Sequence, residues 1–331
     1  MLEKFNEYAK RVVDKIDAYI YNVVRGEPET LYDAALHLIR AGGKRLRPII
    51  VLAVAETLGA DLEKALPFAA AVEIVHNFTL IHDDIIDEDE MRRGVPTVHK
   101  LWGQAIAITA GDLLYAKAFT ALSKAVEVGV SVDRVVKAME YLARACSTIA
   151  EGQAMDILFE DREDVSLDEY LVMVYKKTGA LFEASAVLGG LVVTDDEPIL
   201  KTLEAFGRNL GIAFQIKDDI LGLVGKEEVI GKPVYSDIRE GKKTVLVVYA
   251  LQRLDQEKRE RLLSILGKKS ASREELEEAA NLIISTGALD FAYRLAREYA
   301  EKARAALYRL PDKETRRVLE DLVDYVLVRD R

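Results

Sequence analysis

Apolar residues recur at three- and four-residue spacing along almost the whole chain, and strict alternation of apolar and polar residues is scarce. Leu31, Ala34 and Leu38 are one example, since they fall on one face of a helix. Breakers such as Gly42–Gly43 stand between these stretches, where helix ends are expected. The pattern predicts an all-α fold.

Two of the predicted helices are apolar on nearly every face, over residues 69–87 and 203–224. A helix that is apolar all round is typical of the centre of a bundle. Each of these helices carries an Asp-Asp pair near its C-terminal end, Asp83–Asp84 in the first and Asp218–Asp219 in the second. The sequence therefore predicts a helical bundle with two acidic central helices.

Composition bounds the class of protein. The chain has 331 residues, half of them hydrophobic, and only 7 prolines with no linker-like stretch, so we expect one domain over residues 1–331. Its single cysteine, Cys146, fits a reducing cytoplasm. No uncharged apolar run approaches the roughly 18 residues of a transmembrane segment. A net charge of −10 argues against nucleic acid as a partner.

The first acidic motif, DDIID, has the spacing of a metal site. Asp83 and Asp87 are one helical turn apart, which puts their Cβ atoms about 5–6 Å from each other. Mg²⁺ prefers one or two carboxylates together with substrate phosphates, so such a pair could bridge the cation. The alternative is a solvated acidic helix end, which we favour for residues 88–90.

Basic residues near the predicted helix ends could bind the corresponding anion. GGKRLRP supplies Lys44 and Arg47 in a glycine-rich turn before a helix, an arrangement that suits phosphate. Arg92–Arg93–Gly94 is expected to close the first acidic helix, either as an anion anchor or as a basic helix stop. His76 lies two turns before Asp83, and a lone histidine there is more often a core residue than a ligand.

Taken together, the motifs resemble those of the trans-isoprenyl diphosphate synthases, above all the archaeal geranylgeranyl type. The shared segments occur in the same order: GGKRLRP, HNFTLIHDDIIDEDEMRRG, YKKTGALFEAS, FQIKDD and GKPVYSDIREGKKT. The resemblance implies the isoprenoid-synthase helical bundle with a deep central apolar pocket, and a homodimer.

The resemblance also implies the reaction. An allylic diphosphate ionises to a carbocation and diphosphate, the double bond of isopentenyl diphosphate attacks the cation, and loss of a proton leaves a chain longer by one C5 unit. No protein nucleophile is needed, but the leaving diphosphate must be stabilised. The family pattern implies about three Mg²⁺ ions for this purpose.

Site residues carry over by position in the matched motifs. The metal ligands implied are Asp83, Asp84, Asp87, Asp218 and Asp219, with Asp83 and Asp87 favoured as direct ligands. The residues implied for the allylic diphosphate are Arg92, Lys177, Thr178, Gln215, Lys232 and Lys242. Those implied for isopentenyl diphosphate are Lys44, Arg47, His76 and Arg93, while Arg45 between them is expected at the surface.

The second acidic motif departs from the family pattern. The family sequence is DDxxD, but this chain has DDILG, so Gly222 stands where a third aspartate is expected. We expect Asp218 to ligate metal without it, and Asp237 of YSDIREGKK to lie nearby. If the third carboxylate is dispensable, Gly222→Asp should leave activity within a few-fold.

Product length is expected to depend on Phe78 and Thr79. Phe78 lies five residues before Asp83, about 7.5 Å along the helix axis. In the resembling family a large residue at that position is the floor of the pocket, and a second aromatic after it accompanies C15 products. Thr79 is small, so the expected product is C20 geranylgeranyl diphosphate, with C15 or longer chains as alternatives and an ordinary core role for Phe78 also open.

Three other functions compete with this interpretation. His37 and His82–Asp83 could belong to an HD-type phosphohydrolase, although that leaves the second Asp pair unexplained. Gly222 would favour a non-catalytic, prenyl-diphosphate-binding regulatory subunit. A terpene cyclase shares the fold but needs no site for a second diphosphate.

Overall fold

The computed structural model describes residues 2–225 and 234–329, and these form helices joined by short turns, with one small hairpin. The predicted all-α class is confirmed. The elements in chain order are α1 (Glu3–Val23), α2 (Glu29–Arg40), α3 (Leu46–Leu58), α4 (Leu62–Ile86), β1 (Met91–Arg92), β2 (Val95–Pro96), α5 (Val98–Ser123), α6 (Val132–Glu160), α7 (Leu167–Val174), α8 (Ala180–Leu191), α9 (Glu197–Val224), α10 (Ser236–Glu240), α11 (Val245–Leu251), α12 (Gln256–Ile265), α13 (Arg273–Ser285), α14 (Ala288–Leu307) and α15 (Glu314–Val328).

The chain divides into two compact units, both discontinuous in sequence. Unit 1 comprises Met1–Cys146, Leu181–Gly207 and Arg304–Asp324, and unit 2 comprises Ser147–Ala180, Arg208–Ala303 and Tyr325–Arg331. A single domain over residues 1–331 stays a prediction.

Unit 1 is built around α4, whose apolar sequence on every side suits a central position. The helix packs against α1, α3 and α5, and its residues Phe68, Val72 and Ile74 are fully buried. α8 approaches α3 closely, because a Cβ atom on Gly189 would lie only 2.6 Å from the carbonyl oxygen of Val51. The DDIID motif therefore lies at the C-terminal end of a tightly packed helix, α4.

The chain leaves α4 through a hairpin that the sequence analysis did not predict. α4 ends at Ile86, and β1 pairs with β2 through a turn in which both Arg93 and Gly94 have positive φ, 54° and 77°. Two consecutive positive φ angles are typical of a type I′ hairpin turn. The expectation that Arg92–Arg93–Gly94 closes the acidic helix is therefore wrong, since these residues begin five positions beyond Asp87.

Unit 2 has its own core, to which α7, the second part of α9, and α10 to α14 contribute. Its buried residues include Tyr170, Ile216, Val245 and Leu246. α7 begins with a capping box in which the hydroxyl of Ser166 accepts from the backbone N–H of Glu169 and the Glu169 carboxylate accepts from the N–H of Ser166. This cap fixes the start of the helix that carries Tyr170.

Two helices of the described chain are long and apolar enough to cross a membrane by length and composition alone. In α4, 72% of the apolar window is buried within the protein, as expected for a core helix. The second stretch, Val98–Val126, contains α5, and only 39% of its window is buried. Within the described residues, α5 therefore leaves much of its apolar surface exposed.

Candidate active site

The first acidic group lies at the C-terminal end of α4, in unit 1. Asp83 and Asp87 are half-buried and one turn apart, and the N–H of Asp87 donates to the carbonyl of Asp83 at 2.8 Å as the helix ends. Two carboxylates on one face near a helix C-terminus repel each other and meet the negative end of the helix dipole. The arrangement therefore favours binding of a cation.

Asp84 differs from the other two aspartates of its motif because it is completely buried. Its Oδ1 accepts from Nε of Arg92 at 2.7 Å, and the same guanidinium reaches Oδ2 of Asp89 at 3.0 Å. A buried charge needs such a partner. Asp84 therefore holds Arg92 on the hairpin beside Asp83 and Asp87.

The basic residues of GGKRLRP and of the hairpin meet at the middle of α4. Arg47 donates to Nε2 of His76 at 3.3 Å and lies over the ring of Phe182, whose centroid is 4.5 Å away. Arg93 donates to the carbonyl of Leu38 at 2.6 Å and to Oδ1 of Asn77 at 3.2 Å. The structure thus brings together Arg47, His76 and Arg93, three of the four residues predicted for isopentenyl diphosphate.

The glycine-rich turn allows the guanidinium of Arg93 to lie close to the backbone at Gly43. Gly43 has a φ of 141°, and a Cβ atom there would lie 2.9 Å from the guanidinium carbon of Arg93. Lys44, the fourth predicted residue, is exposed in the same turn. Only glycine leaves room for the guanidinium beside the backbone.

Arg45 is not at the surface, so that expectation was wrong. Its side chain is fully buried, with Nε donating to Oδ1 of Asp17 at 2.7 Å and one amino group donating to Oε1 of Glu73 at 3.2 Å. A further bond runs to the carbonyl of Ile39 at 2.7 Å. Arg45 is a structural residue that joins α1, α2 and α4.

The surroundings of His76 favour its neutral form. Burial, and then the positive charges of Arg47 and Arg93, hold its pKa well below the usual value. The bond from Arg47 agrees, because a guanidinium can only donate and Nε2 must therefore accept. Several cations with few balancing carboxylates near one imidazole make this region attractive to an anion.

We expect the lowered pKa of His76 to make folding stability depend on pH. The unfolded chain protonates this ring near pH 6.5 and the folded chain does not, so the unfolded state binds more protons below that pH. Stability should fall as the pH decreases below about 6.5, and His76→Gln should reduce the fall. Melting temperatures between pH 5 and 8 test this, and equal slopes for both proteins would contradict it.

The second acidic group lies on α9, in unit 2, and its two aspartates have different surroundings. Asp218 is 40% exposed, and its Oδ1 accepts from Arg329 at 2.5 Å. Arg329 is itself buried, donates to the carbonyl of Phe214 at 2.8 Å and lies 3.7 Å from the centroid of the Phe214 ring. One carboxylate oxygen of Asp218 is thus fixed by a residue near the C-terminus.

Asp219 is buried within a network of donors. It accepts from the hydroxyl of Tyr170 at 2.7 Å, the amide of Gln215 at 3.0 Å and the N–H of Val245 at 3.0 Å. Burial, and then the negative charge of Asp237, outweigh these bonds and raise its pKa to about 7. Asp219 therefore joins α7, α9 and α11.

Lys177 and Thr178 lie in a π-helical turn, Tyr175–Gly179, between α7 and α8. Such turns are rare and frequent at functional sites. Thr178 donates to Oε1 of Gln215 at 2.8 Å. α6 can approach this turn because residue 152 is glycine, and a Cβ there would lie 2.2 Å from the backbone nitrogen of Lys177.

Asp156 is a central residue that the sequence analysis missed. It is buried, and its Oδ2 lies 2.6 Å from Nζ of Lys177 and 3.2 Å from Nζ of Lys242. Burial raises its pKa, but the two ammonium groups outweigh that effect and hold the pKa below its usual value. Asp156 thus gathers two lysines that are 65 positions apart in the chain. Its only signal in the sequence is an acidic residue within the apolar stretch AMDILF.

Lys232 of the predicted set lies outside the described residues. Within residues 2–225 and 234–329, no group of three or more His, Cys, Asp or Glu side chains is placed to hold a metal ion by itself. Both amide atoms of Gln153, on α6 beside this turn, are buried without a hydrogen-bond partner in the same part of the chain. A metal would therefore need oxygen ligands from a bound anion, which is how Mg²⁺ is usually held at phosphate sites.

The histidines of the phosphohydrolase interpretation are engaged elsewhere. Nε2 of His37 is 2.8 Å from the carbonyl of Pro96, and Nε2 of His82 is 3.1 Å from the carbonyl of Ile108. The described residues place acidic groups near the ends of α4 and α9, and basic groups in each unit. Carboxylates that can bind a divalent cation and basic side chains that can bind an anion suit an enzyme that acts on anionic substrates.

Comparison with known proteins identifies the family. The polyprenyl synthetase family model matches residues 28–283. A geranylgeranyl diphosphate synthase of Saccharolobus solfataricus is 45% identical over 97% of both chains, and a geranylfarnesyl diphosphate synthase of Aeropyrum pernix is 47% identical over 95% of this chain and 99% of its own. The solved geranylgeranyl pyrophosphate synthetase of Pyrococcus horikoshii is 42% identical, with a TM-score of 0.92 over 99% of this chain and 98% of that one.

The chain belongs to the polyprenyl synthetase family. The predicted family and the predicted class of enzyme, a trans-prenyltransferase that joins isopentenyl diphosphate to allylic diphosphates, are confirmed. Prenyl synthetases generally depend on Mg²⁺. The roles of individual site residues stay predictions.

Proposed function

We propose that this chain elongates allylic diphosphates with isopentenyl diphosphate up to the C20 product, geranylgeranyl diphosphate. One observation carries the proposal: a basic group without metal-binding carboxylates, around His76, accompanies the acidic groups on α4 and α9. Two kinds of anion site suit two diphosphate substrates. A cyclase, which takes a single diphosphate, has no use for the second.

The basic group in unit 1 would receive isopentenyl diphosphate. Arg47 and Arg93 each have donors held at fixed positions by neighbouring groups, and Lys44 adds an exposed charge. Neutral His76 can donate a hydrogen bond through its second ring nitrogen without adding a further repelling cation. An anion bound here relieves the repulsion between the arginines, which favours binding before chemistry.

The acidic groups would hold the allylic diphosphate through Mg²⁺, about three ions per active site as in the resembling pattern. The residues fit this role because Asp83, Asp87 and Asp218 offer hard oxygen ligands on partly exposed helix faces. When bound, Mg²⁺ stabilises the charge on the departing diphosphate. Asp84 and Asp219, which are also predicted ligands, would act by orienting Arg92 and the α9 helix end.

Lys177, Thr178, Gln215, Lys232 and Lys242 would also bind the allylic diphosphate. Lys177 and Lys242 are held by Asp156, and Lys242 is also 2.7 Å from Oε1 of Glu160. Fixed cations need no reorganisation when the carbon–oxygen bond of the substrate breaks.

Removing the Asp156 carboxylate should weaken the allylic site selectively. Asp156→Asn keeps the side-chain shape but leaves Lys177 and Lys242 without their shared partner. We expect kcat/KM for the allylic substrate to fall about 10- to 100-fold, the usual effect of losing a supporting residue, mainly through KM. Glu160→Gln, which removes a carboxylate beside Lys242 but leaves Lys177 and Asp156 paired, should have a smaller effect. Equal losses for both substrates in steady-state kinetics would contradict the assignment.

A C20 product is supported by the relatives only in part, because they include both geranylgeranyl and geranylfarnesyl diphosphate synthases. Phe78 followed by Thr79 favours C20, and the packing of Phe78 against α5 agrees with a pocket floor. C15 and longer products are the alternatives that product analysis decides.

We further propose that the chain is a cytoplasmic homodimer. α5 exposes Leu101, Ile108 and Tyr115 at seven-residue spacing, with 50%, 43% and 39% of each residue accessible. Ile108 and Tyr115 lie on one face of the helix after a kink at Gly103, whose φ of 80° and ψ of 160° are not helical, and Leu101 lies before that kink. A second copy would cover these exposed apolar residues. Light scattering should give twice the 36.9 kDa chain mass.

The decisive experiment is product analysis with the purified chain alone. The chain is incubated with Mg²⁺, isopentenyl diphosphate and each of the C5, C10 and C15 allylic diphosphates, and prenyl products and diphosphate are measured. C20 product with one diphosphate per C5 added is expected, and a chelator should abolish it. Released phosphate without elongation would indicate a hydrolase, hydrocarbon a cyclase, and binding without turnover a regulatory subunit.

A further inference from the structure

Gly222 lies one turn after Asp218 on α9, so a side chain at position 222 would project from the same helix face. A Cβ atom on Gly222 would stand 2.6 Å from Oδ2 of Asp237 and 3.5 Å from its Cγ. In an aspartate the carboxylate oxygens lie about 2.4 Å from the residue's own Cβ, by standard bond lengths. The Asp237 oxygen therefore stands where an aspartate at position 222 could place its own.

Backbone bonds hold Asp237 in this place. The N–H of Tyr235 donates to the carbonyl of Gly222 at 3.2 Å, which fastens the start of α10 to α9. The carbonyl of Asp237 accepts from the N–H of Lys242 at 2.9 Å. Tyr235 has a φ of 69°, a left-handed conformation that is strained for a non-glycine residue and persists where the surroundings enforce it.

We propose that Asp237 supplies, from α10, the carboxylate that the second acidic motif lacks at Gly222. This inference rests on the proposed function, since it assigns Asp237 to the same Mg²⁺-dependent diphosphate site. Glycine is then required at position 222, because any side chain there would displace the Asp237 carboxylate. The third carboxylate of the DDILG motif would thus come from α10 and not from α9.

The geometry changes the expectation for Gly222→Asp. Two carboxylates cannot occupy one place, and like charges at this distance disfavour each other's ionised form. Gly222→Asp should therefore weaken the binding of Mg²⁺ and diphosphate, whereas an exchange of the two residues, Gly222→Asp with Asp237→Ala, should restore it. The exchange moves the carboxylate back to α9 and leaves room for it.

Calorimetric titration of inorganic diphosphate in the presence of Mg²⁺ measures the effect without turnover. We expect Asp237→Asn to raise the dissociation constant about tenfold or more. Glu240 is half-buried on the same short helix, and Glu240→Gln, the charge-matched control, should stay within about twofold. The dissociation constant of the exchange variant should lie within about threefold of the wild-type value. Its affinity should therefore be much higher than that of Asp237→Ala alone.

Gly222→Ala keeps every charge and adds only the methyl group that would meet Asp237, and alanine favours a helix, so this variant should fold. It should weaken binding as Gly222→Asp does. The inference is overturned if Asp237→Asn binds like Glu240→Gln, or if the exchange binds no better than Asp237→Ala. A wild-type chain that binds no diphosphate with Mg²⁺ would overturn the proposed function as well, which separates the two failures.

Discussion

Replacing Asp83 or Asp87 with alanine is expected to reduce turnover by roughly 10³-fold or more while the chain stays folded. Both carboxylates stand one turn apart at the end of α4, and neither is completely buried. Stabilising the charge on a leaving group is usually the largest single contribution to catalysis, so a lost metal ligand should lower kcat more than it raises KM. Each variant also removes a repulsion between neighbouring carboxylates, so its melting temperature without metal should not fall.

The measurement is steady-state turnover at several Mg²⁺ concentrations. Glu90→Ala is the matched control, because Glu90 belongs to the same acidic run but its side chain is exposed, with Oε1 3.2 Å from Nζ of Lys100. The control should retain wild-type activity. Turnover within tenfold of wild type in both Asp83→Ala and Asp87→Ala would show that these carboxylates do not hold the metal.

Local spacing made one part of the site predictable. The helical period places Asp83 and Asp87 on one face from sequence alone, and the glycine-rich GGKRLRP turn is visible as an anion anchor. The residues of these motifs lie close together along the chain, so their geometry follows from the helix or turn that contains them.

Other residues of the site depend on contacts between distant segments. The place of Asp156 in the site follows from its ion pairs with Lys177 and Lys242. That of Arg329 follows from its ion pair with Asp218, 111 positions earlier. No periodicity within a helix contains that information. Arg45 was misjudged for the same reason, since its burial follows from partners on other helices.

Backbone geometry that departs from a regular helix could not be predicted from the sequence either. The hairpin after α4 needs two positive φ angles, one of them at a non-glycine residue, Arg93. The π-helical turn at residues 175–179 has no composition signal, since Lys, Thr and Tyr are compatible with an ordinary helix. Such features are fixed by tertiary packing and coincide here with residues proposed to bind substrate.

The second large effect expected is a change of product length in Phe78→Ala. The Phe78 ring lies edge-on to Tyr115 on α5, with centroids 5.6 Å apart, and edge-on to His82, at 5.1 Å. Phe78 is half-buried, whereas Phe68 on the same helix is fully buried. An aromatic ring that is packed on one side and open on the other suits the wall of a cavity better than a closed core.

Removing the ring should open space for further C5 units, so the products should extend beyond C20. Thr79→Phe should have the opposite effect and stop elongation near C15, because a second ring would stand one residue closer to Asp83. Since Phe78 is only half-buried, its truncation should cost less than the about 3–5 kcal/mol of a fully buried phenylalanine.

Chromatography of the dephosphorylated products from wild type, Phe78→Ala and Thr79→Phe tests this expectation directly. Phe68→Leu is the control for a general loss of core volume, and it should lower the melting temperature without changing product length. If the wild-type chain and both variants give the same chain length, Phe78 is an ordinary packing residue. A shift in Phe78→Ala that Phe68→Leu does not share would establish that the ring limits the growing chain.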